Sequence, residues 1–542
     1  MAGQLIEGRN VAADTSLTPD FCIIGSGAAG GVCALKLAEA GFEVVVLEEG
    51  PNIPKGQGHD GPSHVRPMLT ERESEMYKLL YQEGGTRLTK NGGVKVMQGR
   101  CLGGGTAVNW SACLPPRLET LDEWRKRGLP FTRENLDPYL REVVGYLPIV
   151  RNDKYNTSAR KFMKGCDRLG IPHANLPNNT HQCRECGSCG VGCPYDRKMS
   201  GFVKWLPDAM GLGAVVYTDT KVNKLEWSGD SVREVRATFL DAKTRPRKQT
   251  LRVRPSKGVL LAAGSVGTPG VLLRSRLDVG GRVGRFTHIH PVTISIGKYP
   301  ENTFPAYGVP DNMWTPKYGD GPTGYLLETG SFFPVLSASA TLQHGPELHR
   351  IMRDYYPTGA ISYAHHTTGF DDREAYGTVE LDKYGEPELD YKIPKANVRS
   401  MQESMEEMAK IHLAAGATSV YLMRNPPLEV KPGTGPASRF DEIRKIDFTE
   451  SQRATIFTVH VMGGCQMHKD ERRACVNTDF SLKGMKNVWV VDGSVFPTGL
   501  GANPQVTIYA LALWAAREIC ERHGRPFTLN HQQGGEWPWP NY

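Results

Sequence analysis

The sequence predicts a mixed α/β fold built around a Rossmann-type nucleotide-binding unit. Three observations carry that reading. Residues Phe21 to Ile24 form a short apolar run, and Gly25-Ser26-Gly27-Ala28-Ala29-Gly30 follows at once. A helical pattern from Gly31 to Ala40 then leads through Gly41 into a second apolar run, Val44 to Leu47, which ends in Glu48. This is strand, glycine turn, helix, strand. The glycines allow a tight turn and close backbone approach, the helix N-terminus faces a pyrophosphate, and the acid receives a ribose hydroxyl. Glu48 lies eighteen residues beyond Gly30, where that acid is needed. The spacing marks an adenine dinucleotide site without choosing between FAD and NAD.

The chain has 542 residues, too many for one ordinary core at roughly 100 to 200 residues per domain. Two or three domains, or one enlarged by insertions, are expected. With 39% hydrophobic and 23% charged residues it is neither disordered nor collagen-like. No apolar run reaches the roughly 18 residues needed to cross a bilayer, and the best, Tyr509 to Ala516, lies within a longer helical pattern. The opening MAGQLIEGRNVAADT carries no export signal, so the expectation is a cytoplasmic protein, periplasmic only if a partner subunit carries it across. The net charge of +7 comes from scattered Lys and Arg with no nucleic-acid motif, which reads as solvation.

Further along, Gly103-Gly104-Gly105 lets backbone approach a flat ring or a phosphate closely. Residues Tyr217 to Val259 alternate apolar and polar positions, with turns at Ser228-Gly229-Asp230 and Thr244-Arg245-Pro246, predicting an antiparallel meander with a basic, solvated edge. Between Phe304 and Arg439 the pattern is weaker. Gly377 to Leu381 and the strand after Gly385 are expected to form a hairpin, and Asn397 to Ala415 a helix with Met401, Met405 and Met408 facing the core. His365 and His366 invite a metal reading, but adjacent strand residues point to opposite faces and do not share one ion. A Val-rich strand before Asp492 and a helix from Val506 to Cys520, opened by Asn503-Pro504, close the pattern.

Cys183-x-x-Cys186-x-x-Cys189-x-x-x-Cys193-Pro194 has the spacing of a bacterial ferredoxin run. Soft thiolates this close suit an Fe-S cluster, either 3Fe-4S or 4Fe-4S, or zinc. Free or partly oxidised thiols are the other reading.

Several segments together resemble the glucose-methanol-choline (GMC) oxidoreductases. They are Gly99-Arg100-Cys101-Leu102-Gly103-Gly104-Gly105-Thr106-Ala107-Val108-Asn109, Ala262 to Pro269, His288-Ile289-His290-Pro291, Val491 to Pro497 and Asn503 to Ile508. Gln98 to Cys113 and Cys186 to Ser200 are most similar to the long-chain alcohol oxidase-like and bacterial sugar dehydrogenase branches. The resemblance implies a GMC fold: a discontinuous Rossmann-like FAD-binding domain over 15–118, 211–300 and 450–530, and an antiparallel-sheet substrate domain over 119–210 and 301–449. It implies FAD contacts at Gly25, Gly27, Ala28, Gly30, Glu48, Gly99, Arg100, Gly103, Gly104, Thr106, Asn109, Val222, Ala263, Gly264, Asp492, Gly493, Asn503, Pro504 and Thr507. His460, at the end of the run Ile456 to Val459 and before Met462-Gly463-Gly464, matches the family's base, and Asn503 its partner at the substrate oxygen.

The implied activity is oxidation of a small-molecule alcohol by hydride transfer to flavin. In the FAD-dependent sugar dehydrogenases that the chain resembles, three cysteines at C-x5-C-x3-C-P hold a 3Fe-4S cluster, and Cys183, Cys189 and Cys193 match that spacing. The expectation is therefore a dehydrogenase passing electrons to a cytochrome, a quinone or a small partner subunit. An oxygen-using oxidase that releases hydrogen peroxide is the alternative. An electron-transfer subunit that oxidises no alcohol is the alternative of another class.

Overall fold

The structure is a computed structural model that describes residues 3–53, 72–341, 343–371, 376–424, 426–433, 438–449, 455–531 and 537–539. Its first sheet has six parallel strands in the order Gln4–Glu7, Val215–Thr218, Val44–Leu47, Phe21–Ile24, Gly258–Leu261, Val488–Val490. The inner runs FCII, VVVL, VVYT and GVLL are buried at every position. Strands covered on both faces need such unbroken apolar sequence. Helix Ala28–Glu39 packs between this sheet and helix Gln505–Arg522. The sheet also takes in Gln4–Glu7, ahead of the expected boundary at 15, through pairing with Val215–Thr218.

Two strands of this sheet end in turns that start helices at one edge. Phe21–Ile24 leads into helix Ala28–Glu39, and Gly258–Leu261 into helix Gly264–Arg274. Open parallel sheets bind ligands beyond such strand ends. The expected meander is present as Thr220–Ser228, Ser231–Leu240 and Pro246–Val253, joined by Thr15–Leu17.

A second, nine-stranded sheet supplies the rest of the frame. Its main path runs through Leu428–Val430, Ser419–Leu422, Val292–Lys298, Gly359–His366, Tyr325–Gly330, Met313–Thr315 and Ala174–Asn175. Val94–Val96 and Ile456–Thr458 pair beside Val292. After its earlier strands Val94–Val96 and Ala174–Asn175, the chain returns to this sheet at Val292, before the expected boundary at 300, while the boundary at 450 lies outside the described residues.

Helix Lys395–Ala414 covers one face of the sheet, with Met401, Met405 and Met408 fully buried beneath it. Pairing of Tyr325 with His366 and of Glu328 with Tyr363 fixes the register. His366 therefore turns towards the helix, where its nitrogens meet Ser400 and Ser404. Ile361, Tyr363 and His365 take the opposite face, as the two-residue period requires. The hairpin Thr378–Leu381/Pro387–Asp390 is also as predicted.

Candidate active site

A cavity of about 430 Å³ lies between the strand ends of the parallel sheet and the uncovered face of the nine-stranded sheet. At its nucleotide end, Gly25 adopts φ 99° so that the strand can turn into the helix. Glu48 lines the cavity, but its oxygens already hold the turn: Oε2 accepts from Ser26 N at 3.0 Å and Ser26 Oγ at 2.6 Å, and Oε1 from Gly50 N at 2.8 Å. Its neighbour Glu49, which the sequence reading passed over, also lines the wall and pairs with Arg100 at 3.1 Å. Glu49 is held below the usual carboxylate range by Arg100 and other nearby cations, which outweigh its burial. The second acid of Glu48-Glu49 was the available signal.

Gly25, Gly27, Ala28, Gly99, Arg100, Gly104, Thr106, Asn109, Val222, Ala263, Gly264, Asp492, Gly493, Asn503 and Pro504 all reach the wall. Three expected contacts lie outside it and support it instead. Gly30 packs against the Gly25 carbonyl, Gly103 lies against Phe202, and Thr507 is buried in the closing helix. Asp492 ties two wall segments together, accepting from Gly264 N at 2.8 Å, Thr268 Oγ1 at 2.6 Å and Ser494 N at 2.9 Å.

The other end of the cavity gathers side chains from six separate segments. Half-buried His460 follows the strand Ile456–Thr458, and its Nδ1 lies 3.1 Å from His290 Nδ1. His365 comes from the sheet, its Nε2 3.3 Å from Glu328 Oε2. Asn503 Nδ2 points to the same Oε2 at 3.4 Å, leaving Asn503 Oδ1 buried without a partner. Asp311 and Tyr363 complete the wall beside them.

Burial, then the neighbouring imidazoles, hold His460 and His290 well below the usual histidine range. Burial, then the charge of Glu328, pushes Asp311 well above the usual carboxylate range. One nitrogen from each of His290, His365 and His460 lies within 4.8 Å of the others. A metal fits poorly there, because both nitrogens of His290 already have partners. Sequence reasoning found His460 and Asn503 but assigned no role to His290, Glu328, Asp311 or Tyr363. For His290 the signal was its place in the His-Pro element; the other three gave none.

The cysteine segment lies beside the flavin-type motif. Cys189 is buried, and Cys183, Cys186 and Cys193 are half-buried. Cys183 Sγ accepts from Glu185 N at 3.3 Å and Cys193 Sγ from Arg197 N at 3.2 Å. Buried Lys198 donates to the carbonyls of Cys189 at 2.8 Å, Ala107 at 2.9 Å and Asn109 at 2.7 Å, binding this loop to residues 107–109. Among the described residues no three of these sulfurs lie within 4.8 Å of one another.

Comparison with known proteins matches this architecture. A GMC oxidoreductase model matches residues 77–292, a second one for the C-terminal part matches 373–512, and an NAD(P)-binding Rossmann-like domain model matches 23–58. The chain belongs to the GMC oxidoreductase family. Similar proteins include long-chain-alcohol oxidase FAO3 of Arabidopsis thaliana, 26% identical across 93% of this chain and 68% of that one. Long-chain-alcohol oxidase FAO1 of the same plant is 28% identical across 93% of this chain and 66% of its own length. This GMC oxidoreductase thus spans about two thirds of the length of either plant protein. Among solved structures, pyridoxine 4-oxidase from Mesorbium loti shares the fold, with a TM-score of 0.67, 17% identity and coverage of 92% of this chain and 98% of that one.

As a GMC oxidoreductase the chain is a flavoprotein, and the cavity fits FAD. A Cβ added at Gly27 or Gly105 would meet no protein atom within 4 Å, so both present bare backbone to open space. Helices Ala28–Glu39, Gly264–Arg274 and Gln505–Arg522 all begin at the cavity, where exposed N–H groups and the helix dipole favour phosphate or an electron-rich ring. Asn503 Oδ1 and Ser265 Oγ, both on wall residues, are buried without protein partners, as groups awaiting a polar ligand are.

Proposed function

We propose that this GMC oxidoreductase oxidises an alcohol to an aldehyde or ketone with FAD. The observation that carries the reading is the meeting of imidazoles and the Asn503 amide at the end of the cavity walled by Thr106, Asn109, Gly493 and Pro504. An alcohol C–H releases hydride readily only as its hydroxyl proton is being taken. FAD, when bound, supplies the hydride acceptor. His460 and Asn503 hold the substrate oxygen, and an imidazole of the cluster removes its proton. Ile361, Met423, Phe457, Leu336 and Ala340 give the cavity an apolar side that keeps water out and suits a hydrocarbon chain. The names of the plant relatives support a long-chain alcohol.

Two acceptors remain in play, each with its own support. The cysteine loop is bound through Lys198 to residues 107–109, and a cluster on Cys183, Cys186, Cys189 and Cys193 would supply a one-electron exit towards a cytochrome, a quinone or a small partner subunit. The relatives named as oxidases support oxygen instead.

The test is anaerobic flavin bleaching by primary alcohols of increasing length, with a sterol and a sugar as comparisons. Iron, acid-labile sulfide and peroxide are measured on the same preparation. Bleaching by the long primary alcohols supports the reading, and no bleaching by any of them overturns it. About three or four iron atoms per FAD, lost on Cys189→Ser, establish the dehydrogenase form. Peroxide in step with alcohol consumed, with no iron or sulfide, establishes the oxidase.

A further inference from the structure

Among the described residues, Lys198 is a buried charge without a charged partner. It is 1% exposed, and its Nζ donates to three backbone carbonyls, Asn109 at 2.7 Å, Cys189 at 2.8 Å and Ala107 at 2.9 Å. A neutral amine has only two N–H groups, so three acceptors call for the ammonium. The carbonyls satisfy its hydrogen bonds but carry no net charge, and no carboxylate of the described residues pairs with it. A lysine buried this deeply needs a compensating negative charge nearby. Burial pulls the ammonium below the usual lysine range, and the groups that oppose burial are first Cys189, then Cys193, Cys101 and Cys186.

The cysteine loop also aims donors at its sulfurs. Glu185 N donates to Cys183 Sγ at 3.3 Å and Arg197 N to Cys193 Sγ at 3.2 Å. A thiol sulfur is a weak acceptor, whereas an ionised one draws such donors strongly. The surface cation Lys154 beside this loop is already paired with Glu185 at 2.9 Å. Cys189 lies in the short 3-10 helix Ser188–Val191, where the Gly190 carbonyl accepts from Tyr81 Oη at 2.5 Å. Tyr81 and Asn109 both line the cavity, so the loop is clamped to the cavity wall from two sides. A buried ammonium and two N–H donors thus surround sulfurs from one short segment. Four neutral thiols would leave the ammonium uncompensated, while thiolates that ligate an iron-sulfur centre supply the missing negative charge.

We propose that Lys198 is the fixed counter-charge of an iron-sulfur centre held by the cysteines of 183–193, and that it raises the reduction potential of that centre. The proposal rests on the dehydrogenase form of the functional reading. Each electron accepted there adds one negative charge to the loop, and a buried ammonium favours the more negative form. The two electrons that one alcohol leaves on the flavin pass out singly, and the external carrier, a cytochrome, a quinone or a small partner subunit, takes both. Lys198 lies outside the wall of the flavin cavity. It is therefore a positioning residue, which acts through the loop it holds and through the charge it keeps there.

The test uses the full chain, purified without oxygen and carrying its FAD, and reads the centre directly rather than through turnover. Iron and acid-labile sulfide are measured first, and the electron paramagnetic resonance signal is then followed through a reductive titration. In Lys198→Met the midpoint potential should fall, with the reduction equilibrium weakened about tenfold, which is ~59 mV for one electron. Lys198→Arg keeps the charge and should stay closer to the unaltered protein. Iron retained at an unchanged potential in Lys198→Met overturns the counter-charge role and leaves the cluster reading standing. Folded, FAD-bound protein without iron or sulfide overturns both, while alcohol oxidation still stands or falls on flavin bleaching. Where Lys198→Met does not fold or does not hold iron, nitrogen-15 NMR of the unaltered, lysine-labelled enzyme decides. At pH 7 Lys198 Nζ should read as an ammonium whose signal shifts when the centre is reduced. A neutral amine, or a signal that reduction leaves in place, overturns the proposal.

Discussion

Asp311 shows how strongly surroundings can reset one side chain. It is 2% exposed, one of its oxygens has no partner, and burial with the Glu328 charge pushes it well above the usual carboxylate range. Near neutral pH it is an uncharged acid, so Asp311→Asn replaces one neutral group with another of the same shape. The folded-state pKa is raised, so the bound proton stabilises the native protein at low pH, and this contribution is lost as pH rises through the raised value. Asp311→Asn has no such proton to lose. Its melting temperature should therefore gain on that of the unaltered protein as pH rises from about 5 to 9. A difference that stays constant would mean Asp311 is ionised throughout.

At the level of single elements, the glycine turn separates binding from folding. Gly27 has an ordinary φ of −68°, and a Cβ placed on it meets nothing within 4 Å. Gly27→Ala should leave the melting temperature of the flavin-free protein nearly unchanged and weaken FAD binding, because the methyl enters the cavity. A Cβ on Gly30 would sit 2.0 Å from the Gly25 carbonyl oxygen. Gly30→Ala should therefore destabilise the flavin-free protein, by about 1–3 kcal/mol as overpacked sites do. Calorimetry and flavin titration of the two variants check both outcomes.

This contrast also explains what could be read in the sequence. The turn at Gly25, the cap at Asp492 and the start of the closing helix at Asn503-Pro504 are local, so composition and spacing over a few residues reveal them. The pairing of His365 with Glu328 depends on sheet register across 37 positions, and a one-residue slip would turn both side chains to the other face. Alternation correctly separated His365 from His366 and argued against a shared metal. It could not tell which of the two faces the cavity, since that depends on which side helix Lys395–Ala414 covers.

Across the whole molecule, the same burial that keeps the site's imidazoles neutral makes the fold sensitive to acid. His288, His366 and His412 are pushed down to about 3, and His290 and His460 well below 6.5, in each case chiefly by burial. Their folded-state values are depressed, so their contribution to stability is present above about pH 6.5 and lost as pH falls towards the folded values. Each proton taken up only by the unfolded chain costs about 1.4 kcal/mol per pH unit. Five such protons bring the slope to roughly 7 kcal/mol per unit, a large share of a net stability of about 5–15 kcal/mol. The buried carboxyls Asp311, Glu48, Glu73, Asp219 and Asp492, raised chiefly by burial, work in the opposite direction and lower this slope. The holoenzyme is expected to lose melting temperature between about pH 6.5 and 5 by what the imidazoles contribute beyond that offset. His412 meets Ser362 and Tyr299 on the helix-covered face of the sheet, away from the cavity. His412→Gln should accordingly reduce the slope by one proton without altering flavin reduction. Calorimetric scans at several pH values, with proton uptake measured on unfolding, read that slope directly. Proton uptake on unfolding near pH 5 that His412→Gln leaves unchanged would mean that this buried imidazole is already charged in the native protein.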